Sequence, residues 1–278
     1  MESALAAEQR RTADLSGAAL KAAAIALTAA TWISSAIFGA YIFAAYGGAL
    51  QDGALERWNN VLPQLYLPTS PLAAIGIGVH FATGAVLLLL GPIQLIGSVR
   101  RRAPAFHRWT GRVYVGAAFL AGVGGLTHIA LKGTTGGMLM NVGFGIYGAL
   151  MALGAVQALR HAMARRIEKH RAWAIRLFAL AVGSWLYRVE YGLWQGFMGE
   201  VGHTDTFDGS FDMIMIFFFY VPNLLIAELF IRARRERAAP AMRMGSAFAL
   251  GLTAALVAYS TYLFTIYAWG PPILARFG

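Results

Sequence analysis

The chain has 278 residues, of which 58% are hydrophobic and only 13% charged, with a mean hydropathy of +0.57; soluble domains run near about 25% charged, so lipid is the expected solvent. A net charge of +10 would suggest nucleic acid in a soluble protein. Here the basic residues sit in short segments between apolar runs, which argues for topology control and against a nucleic-acid partner, and the absence of cysteine rules out disulfides, thiolate chemistry and iron–sulfur clusters.

The first 21 residues, MESALAAEQRRTADLSGAALK, lack the continuous apolar stretch of a cleavable signal peptide. They read as a cytoplasmic segment ahead of a single transmembrane helical domain over 22–275. A bilayer core of about 30 Å takes about 20 apolar residues in a helix, since backbone groups must be satisfied internally in lipid. Seven runs meet that test, at 22–46, 72–98, 109–131, 138–159, 172–197, 211–231 and 244–269. The connection 51–71 is the longest and holds Pro63 and Pro68 beside Tyr66.

Taking alternate sides separates the charges. One side collects Arg10, Arg11, Lys21, Arg100, Arg101, Arg102, Arg108, Arg112, Arg160, Arg165, Arg166, Lys169, Arg171, Arg176, Arg232, Arg234, Arg235, Arg237 and Arg243, nineteen of the 23 Lys and Arg. The other side has Arg57, Lys132 and Arg276, together with Asp52, Glu56, Glu200, Asp205, Asp208 and Asp212. Lys and Arg are retained in the cytoplasm. The expected fold is therefore an all-α polytopic membrane helix bundle of about seven spans, N-terminus cytoplasmic and C-terminus outside. A multi-pass protein of the bacterial inner membrane, with membrane lipid as its surrounding partner, follows from that pattern.

Ionisable groups inside lipid are expensive and count as functional candidates. His80 lies about eight residues below the outer end of the second run and His128 about three below that of the third, so their depths differ by about 7 Å. Both imidazoles can address one outer-leaflet site. Arg188 sits near the depth of His80, and Glu190 slightly further out. Asn223 follows Pro222 near the middle of the sixth run, and Glu228 is nearer the cytoplasm. Gly76, Gly84, Gly124 and Gly125 accompany the histidines, either to admit a flat macrocycle or to pack helices closely.

A second pair marks the cytoplasmic face: His107 in HRWTGRVY and His170 in HRAWAIRLF. Each is followed by an Arg, an indole and, five or six places on, another Arg, which brings Arg108, Arg112, Arg171 and Arg176 alongside. Two helices running in the same direction could hold axial imidazoles over one haem, with arginines on its propionates. The alternative is an interfacial belt of Trp, His and Arg among lipid head groups.

His80 with LLLLGPIQ, then HRWTGRVYV, HRAWAIRLFAL with Arg188, and VPNLLIAE resemble an uncharacterised bacterial family of predicted membrane proteins, catalogued as a domain of unknown function. The resemblance spans roughly residues 75–235. It implies a multi-helix fold and special roles for His80, His107, His170, Arg171, Arg176, Arg188, Asn223 and Glu228; His128 is outside the family pattern. A weaker, architectural similarity is to the diheme b-type cytochromes of membranes.

Three functions compete. In the first, haem b is bound by His107 and His170 on one face and by His80 and His128 on the other, with electrons passing to a quinone or redox partner and Arg188 balancing negative charge. In the second, His80, Arg188, Glu190, Asn223 and Glu228 line a route for a small solute or protons. The third is an intramembrane enzyme with zinc on His80, His128 and Glu190. A retinal protein is set aside, because the seventh run has no lysine for a Schiff base.

Overall fold

The computed structural model describes residues 2–60, 65–235 and 238–278; Pro63, Arg237 and the side chain of Arg10, which entered the reading above, lie outside the described residues. Helix α1 (Glu2–Ile42) passes through a π-helical turn into α2 (Gly48–Gln51), and a 3₁₀ turn follows at Leu55–Asn60. Then come α3 (Pro71–Leu95), α4 (Gly97–Arg102), α5 (Pro104–Lys132), α6 (Gly137–Met163), α7 (Ile167–Ala181) and α8 (Gly183–Met198). The chain closes with α9 (Ser210–Phe218), α10 (Val221–Ala233), α11 (Pro240–Phe264), a second π-helical turn and α12 (Gly270–Phe277). No strand occurs among the described residues.

Among the described residues, six helical stretches are long and apolar enough to cross a membrane: Arg11–Gln51, Pro71–Leu95, Pro104–Lys132, Gly137–Met163, Ser210–Ala233 and Pro240–Phe277. The run expected at 172–197 is present as two shorter helices, α7 and α8, parted at Val182. The interruption is slight, since Val182 N–H still bonds the Phe178 carbonyl and Leu186 N–H bonds that of Val182. Together the two run the length of α6. Near its start α7 is tied to the end of α6 by His170 Nδ1 on the Ala158 carbonyl, 2.9 Å, and the loop after α8 brings Phe207 against Gly136 at the start of α6. α7 has 15 residues and α8 has 16, each short of the about 20 that a span needs. The segment ahead of the first apolar run is helical and continuous with it as the beginning of α1, whose Leu20 packs with Ala247 and Leu250 of α11.

Glycine sets the closeness of the central helices. A Cβ on Gly76 of α3 would lie 2.9 Å from the Gly124 carbonyl of α5, and one on Gly124 would lie 2.7 Å from that of Gly76. Gly122 of α5 meets the Gly148 carbonyl of α6 in the same way, at 2.8 Å. Lipid gives no hydrophobic drive between helices, so backbone contact of this kind supplies the packing. Around the bundle large apolar side chains stay exposed, among them Ile33, Ile75, Leu225 and Phe248, a girdle suited to acyl chains.

The basic connections gather at one end. Arg171, Arg234 and Arg235 share a small cleft with Glu168, and Arg243 reaches back to the Ala13 carbonyl of α1 at 3.5 Å. At the opposite, acidic end Asp52 is gripped by Arg57 at 2.8 Å and by Arg276 of α12 at 3.2 Å. These two guanidiniums hold the Asp52 carboxyl below its ordinary range.

Candidate functional site

A cavity of about 420 Å³ opens among α3, α5, α6, α8 and the loop that follows α8. Its walls are aromatic, with Phe81, Phe144, Tyr147, Tyr187, Tyr191 and Phe219, and its polar groups are His80, His128, Lys132, Arg188, Gln195 and His203. Size and lining are those of a small-molecule site.

The two histidines are held by a reciprocal device. His80 of α3 donates its Nδ1 proton to the Ala121 carbonyl of α5, and His128 of α5 donates its own to the Ala73 carbonyl of α3, both at 3.1 Å. Each bond fixes the tautomer and leaves Nε2 with its lone pair. The pairing repeats about the Gly76–Gly124 contact, because the segments share one spacing: Ala73, Gly76, His80 in one helix and Ala121, Gly124, His128 in the other. That spacing was legible in the sequence as AxxGxxxH twice over. With the glycines level and the helices antiparallel, each histidine lies four residues to its own side. They are therefore separated by roughly 12 Å along the helices, more than the depth count suggested.

Arg188 lines the same cavity from α8. Its Nη1 bonds the Ser184 carbonyl at 2.9 Å, and its guanidinium lies over the Phe38 ring at 5.6 Å. No carboxylate pairs with it among the described residues. Arginine stays charged in any protein, so a cation faces an aromatic cavity with a carbonyl, a ring and the Tyr46 hydroxyl against it. Gly84, one turn beyond His80, also lines the cavity, and a Cβ there would meet nothing within 4 Å.

Sequence reasoning missed the acidic end of the cavity. Asp212 is fully buried and accepts four hydrogen bonds: from Tyr191 Oη at 2.8 Å, His203 Nδ1 at 2.7 Å, and the backbone N–H groups of Thr204 and Gly209 at 3.0 Å each. The bond from Gly209 is half of a capping box at the start of α9. The loop over it is shaped by Gly202 at φ 74° and by Phe207 at φ 56°, a conformation that a non-glycine residue adopts at a cost. The Phe207 ring is held between Tyr191 and His203. The only hint in the sequence was a polar segment, HTDTFDGSFD, between apolar runs.

The basic end holds the second histidine pair. His107 and His170 are close enough for their charges to interact. His107 Nδ1 is buried with no hydrogen-bond partner, as is Nδ1 of the nearby His161. Arg108 and Arg112 are exposed, and Arg171 pairs with Glu168 at 3.0 Å. Arg176 is already engaged: its Nε and Nη2 both bond Glu228 Oε2, at 3.1 and 2.7 Å. Glu228→Gln is expected to cost about 1 kcal/mol through the loss of this α7–α10 clasp. A double-mutant cycle with Arg176→Gln checks it, and a coupling indistinguishable from zero would refute the clasp.

The remaining candidates do not converge. Asn223 Nδ2 bonds the Phe219 carbonyl at 2.7 Å across the break between α9 and α10. Glu190 has a buried Oε2 with no partner. No three His, Cys, Asp or Glu come together in a metal-holding group among the described residues, so the zinc centre considered on His80, His128 and Glu190 is not assembled; the two histidines lie roughly 12 Å apart along their helices.

A family model described as Predicted membrane protein (DUF2306) matches residues 77–231, which include every residue of the cavity's polar wall. No curated protein and no solved structure matches the chain.

Proposed function

Taking the chain as a member of the DUF2306 family of predicted membrane proteins, to which it belongs, we propose that it works as an integral membrane redox protein binding haem b. The observation that supports this reading is the presence of two groups on one aromatic cavity. One is an imidazole whose Nδ1 is tied to a carbonyl. The other is a guanidinium that no carboxylate answers among the described residues. Haem b would satisfy both, having an apolar ring, a metal that takes an imidazole nitrogen, and propionates that pair with arginine. It supplies one-electron chemistry when bound.

His80 would hold the iron and Arg188 a propionate. The reciprocal carbonyl bond orients the His80 ring in the way metal-ligating histidines are oriented by a partner on the second nitrogen. His128, about 12 Å further along, faces another edge of the same cavity. His107 and His170 would hold a second haem at the basic end, with Arg108, Arg112 and Arg171 toward its propionates, since Arg176 is spent on Glu228. In this reading the basic end faces the bacterial cytoplasm, the aromatic cavity lies in the outer half of the inner membrane, and a lipid-soluble quinone or redox partner exchanges the electrons.

The test is a reduced-minus-oxidised spectrum of protein purified after haem-replete expression. A b-type band is expected, with one haem fewer per chain in His80→Ala and again in Gly84→Leu, which fills the open space beside His80. Absence of the band in the wild-type protein overturns the reading.

Arg188 also supports a second reading, transport of a small anionic solute that enters the cavity by its carboxylate. Of the residues expected on such a route, His80 and Arg188 line the cavity, whereas Glu228 is paired at the other end. Flux of a small carboxylate in proteoliposomes, lost in Arg188→Gln, would favour it over the redox reading.

A further inference from the structure

The acidic-end wall of the cavity carries a connected set of ionisable groups for which haem ligation has no use. Tyr191 and His203 both line the cavity, and both bond one oxygen of Asp212, Oδ1, at 2.8 and 2.7 Å. The other oxygen is saturated by two backbone N–H groups. Asp212 is therefore fixed as an acceptor, so His203 presents N–H at Nδ1, and in its neutral form a free lone pair at Nε2. That Nε2 faces Glu200 at 4.0 Å, whose side chain is 74% exposed. The series runs from the cavity wall to solvent: Tyr191, Asp212, His203, Glu200.

We propose that this wall is a proton port: His203 takes up one proton from the outer solution when the haem of this cavity gains an electron, and releases it on reoxidation. The inference rests on the haem reading of the same cavity. The balance is simple. One electron passes from the quinol or redox partner of that reading to the haem, one N–H bond forms at Nε2 of His203 with a proton drawn from water past Glu200, and no group leaves. The protonated ring then lies between two carboxylates, Asp212 and Glu200, while its positive charge offsets the added electron across the cavity. Imidazole is the side-chain type suited to this, since its charge changes between about pH 5 and 8.

The surroundings agree in sign. From α8 the ring meets Tyr191 and from its own loop Glu200; Asp205 and Asp208 belong to that loop, Asp208 being held by Thr204 and Thr206. From α9 it meets Asp212. The cations of the cavity, Lys132 and Arg188, come from α5 and α8. Asp212 at 2.7 Å and Glu200 at 4.0 Å are thus the charged groups nearest the ring.

The experiment is a redox titration of purified, haem-loaded protein between pH 5 and 9, following the spectral component that His80→Ala removes. Its midpoint potential is expected to fall with rising pH, with a slope approaching about 59 mV per pH unit, the tenfold change in proton activity for one electron. His203→Gln, whose amide N–H can still bond Asp212 but which does not titrate, is expected to flatten the slope toward zero. A second measurement needs no variant: reduction of the wild-type protein in unbuffered solution with a pH-indicating dye should take up as much as one proton per haem. A b-type band with a potential independent of pH, a slope unchanged in His203→Gln, or no proton uptake would each overturn the port and leave the haem reading standing. Absence of the band itself would overturn the haem reading and the port together.

Discussion

Asp212→Ala is expected to be among the most damaging single substitutions in the chain, lowering stability by about 3–5 kcal/mol. The side chain is fully buried and its four donors come from three separate places: α8, the loop at 203–204, and the residue before α9. Removing the carboxylate leaves Tyr191 Oη, His203 Nδ1 and two backbone N–H groups without acceptors, in a wall where water does not replace them one for one. Asn at this position is expected to fare little better, because its amide offers one oxygen and turns an NH₂ toward donors. Asp208 makes the control. It is exposed and takes its bonds from the nearby Thr204 and Thr206 hydroxyls, so Asp208→Asn should stay within about 1 kcal/mol of the parent. Thermal unfolding in detergent is the measurement, and an Asp212→Asn variant as stable as Asp208→Asn would show that the wall does not depend on this carboxylate.

Gly124→Ala is the second large effect. The added methyl would sit 2.7 Å from the Gly76 carbonyl, a contact that only a shift of the α3 backbone relieves. Overpacking of this kind costs about 1–3 kcal/mol. Here it carries a further consequence, because the same helix contact sets both histidine bonds. Moving α3 from α5 lengthens His80 to Ala121 and His128 to Ala73 together. Gly116 of α5 gives the comparison, since a Cβ there meets nothing within 4 Å; alanine at 116 should be neutral or stabilising by up to about 1 kcal/mol through helix propensity. Equal stability of the two variants would refute the claim that glycine contact holds these helices.

Much of the architecture was legible in composition. Apolar runs of bilayer length and the partition of basic residues announce a helical membrane bundle without any knowledge of contacts, because the cost of burying backbone and charge in lipid acts on each residue separately. The same reasoning picked His80, His128 and Arg188, which share a cavity, and His107 and His170, whose charges interact at the basic end. It erred where a residue's meaning depends on a partner far away in the chain. Arg176 read as a propionate ligand until α10 brought Glu228 within 2.7 Å. Asp212 read as one more outer acid, and His203 drew no notice, although the loop folds both into the cavity wall.

Length, apolarity and charge by themselves therefore determined that this chain lives in a membrane, that it is helical, and which end of the bundle is basic. The tertiary structure alone decided which polar groups are spent on one another and which remain to meet a ligand. The reason is physical: solvation by lipid is a property of a segment, while the state of a buried ionisable group is set by whatever stands within about 4 Å of it, and that is known only once α3, α5 and α8 are packed.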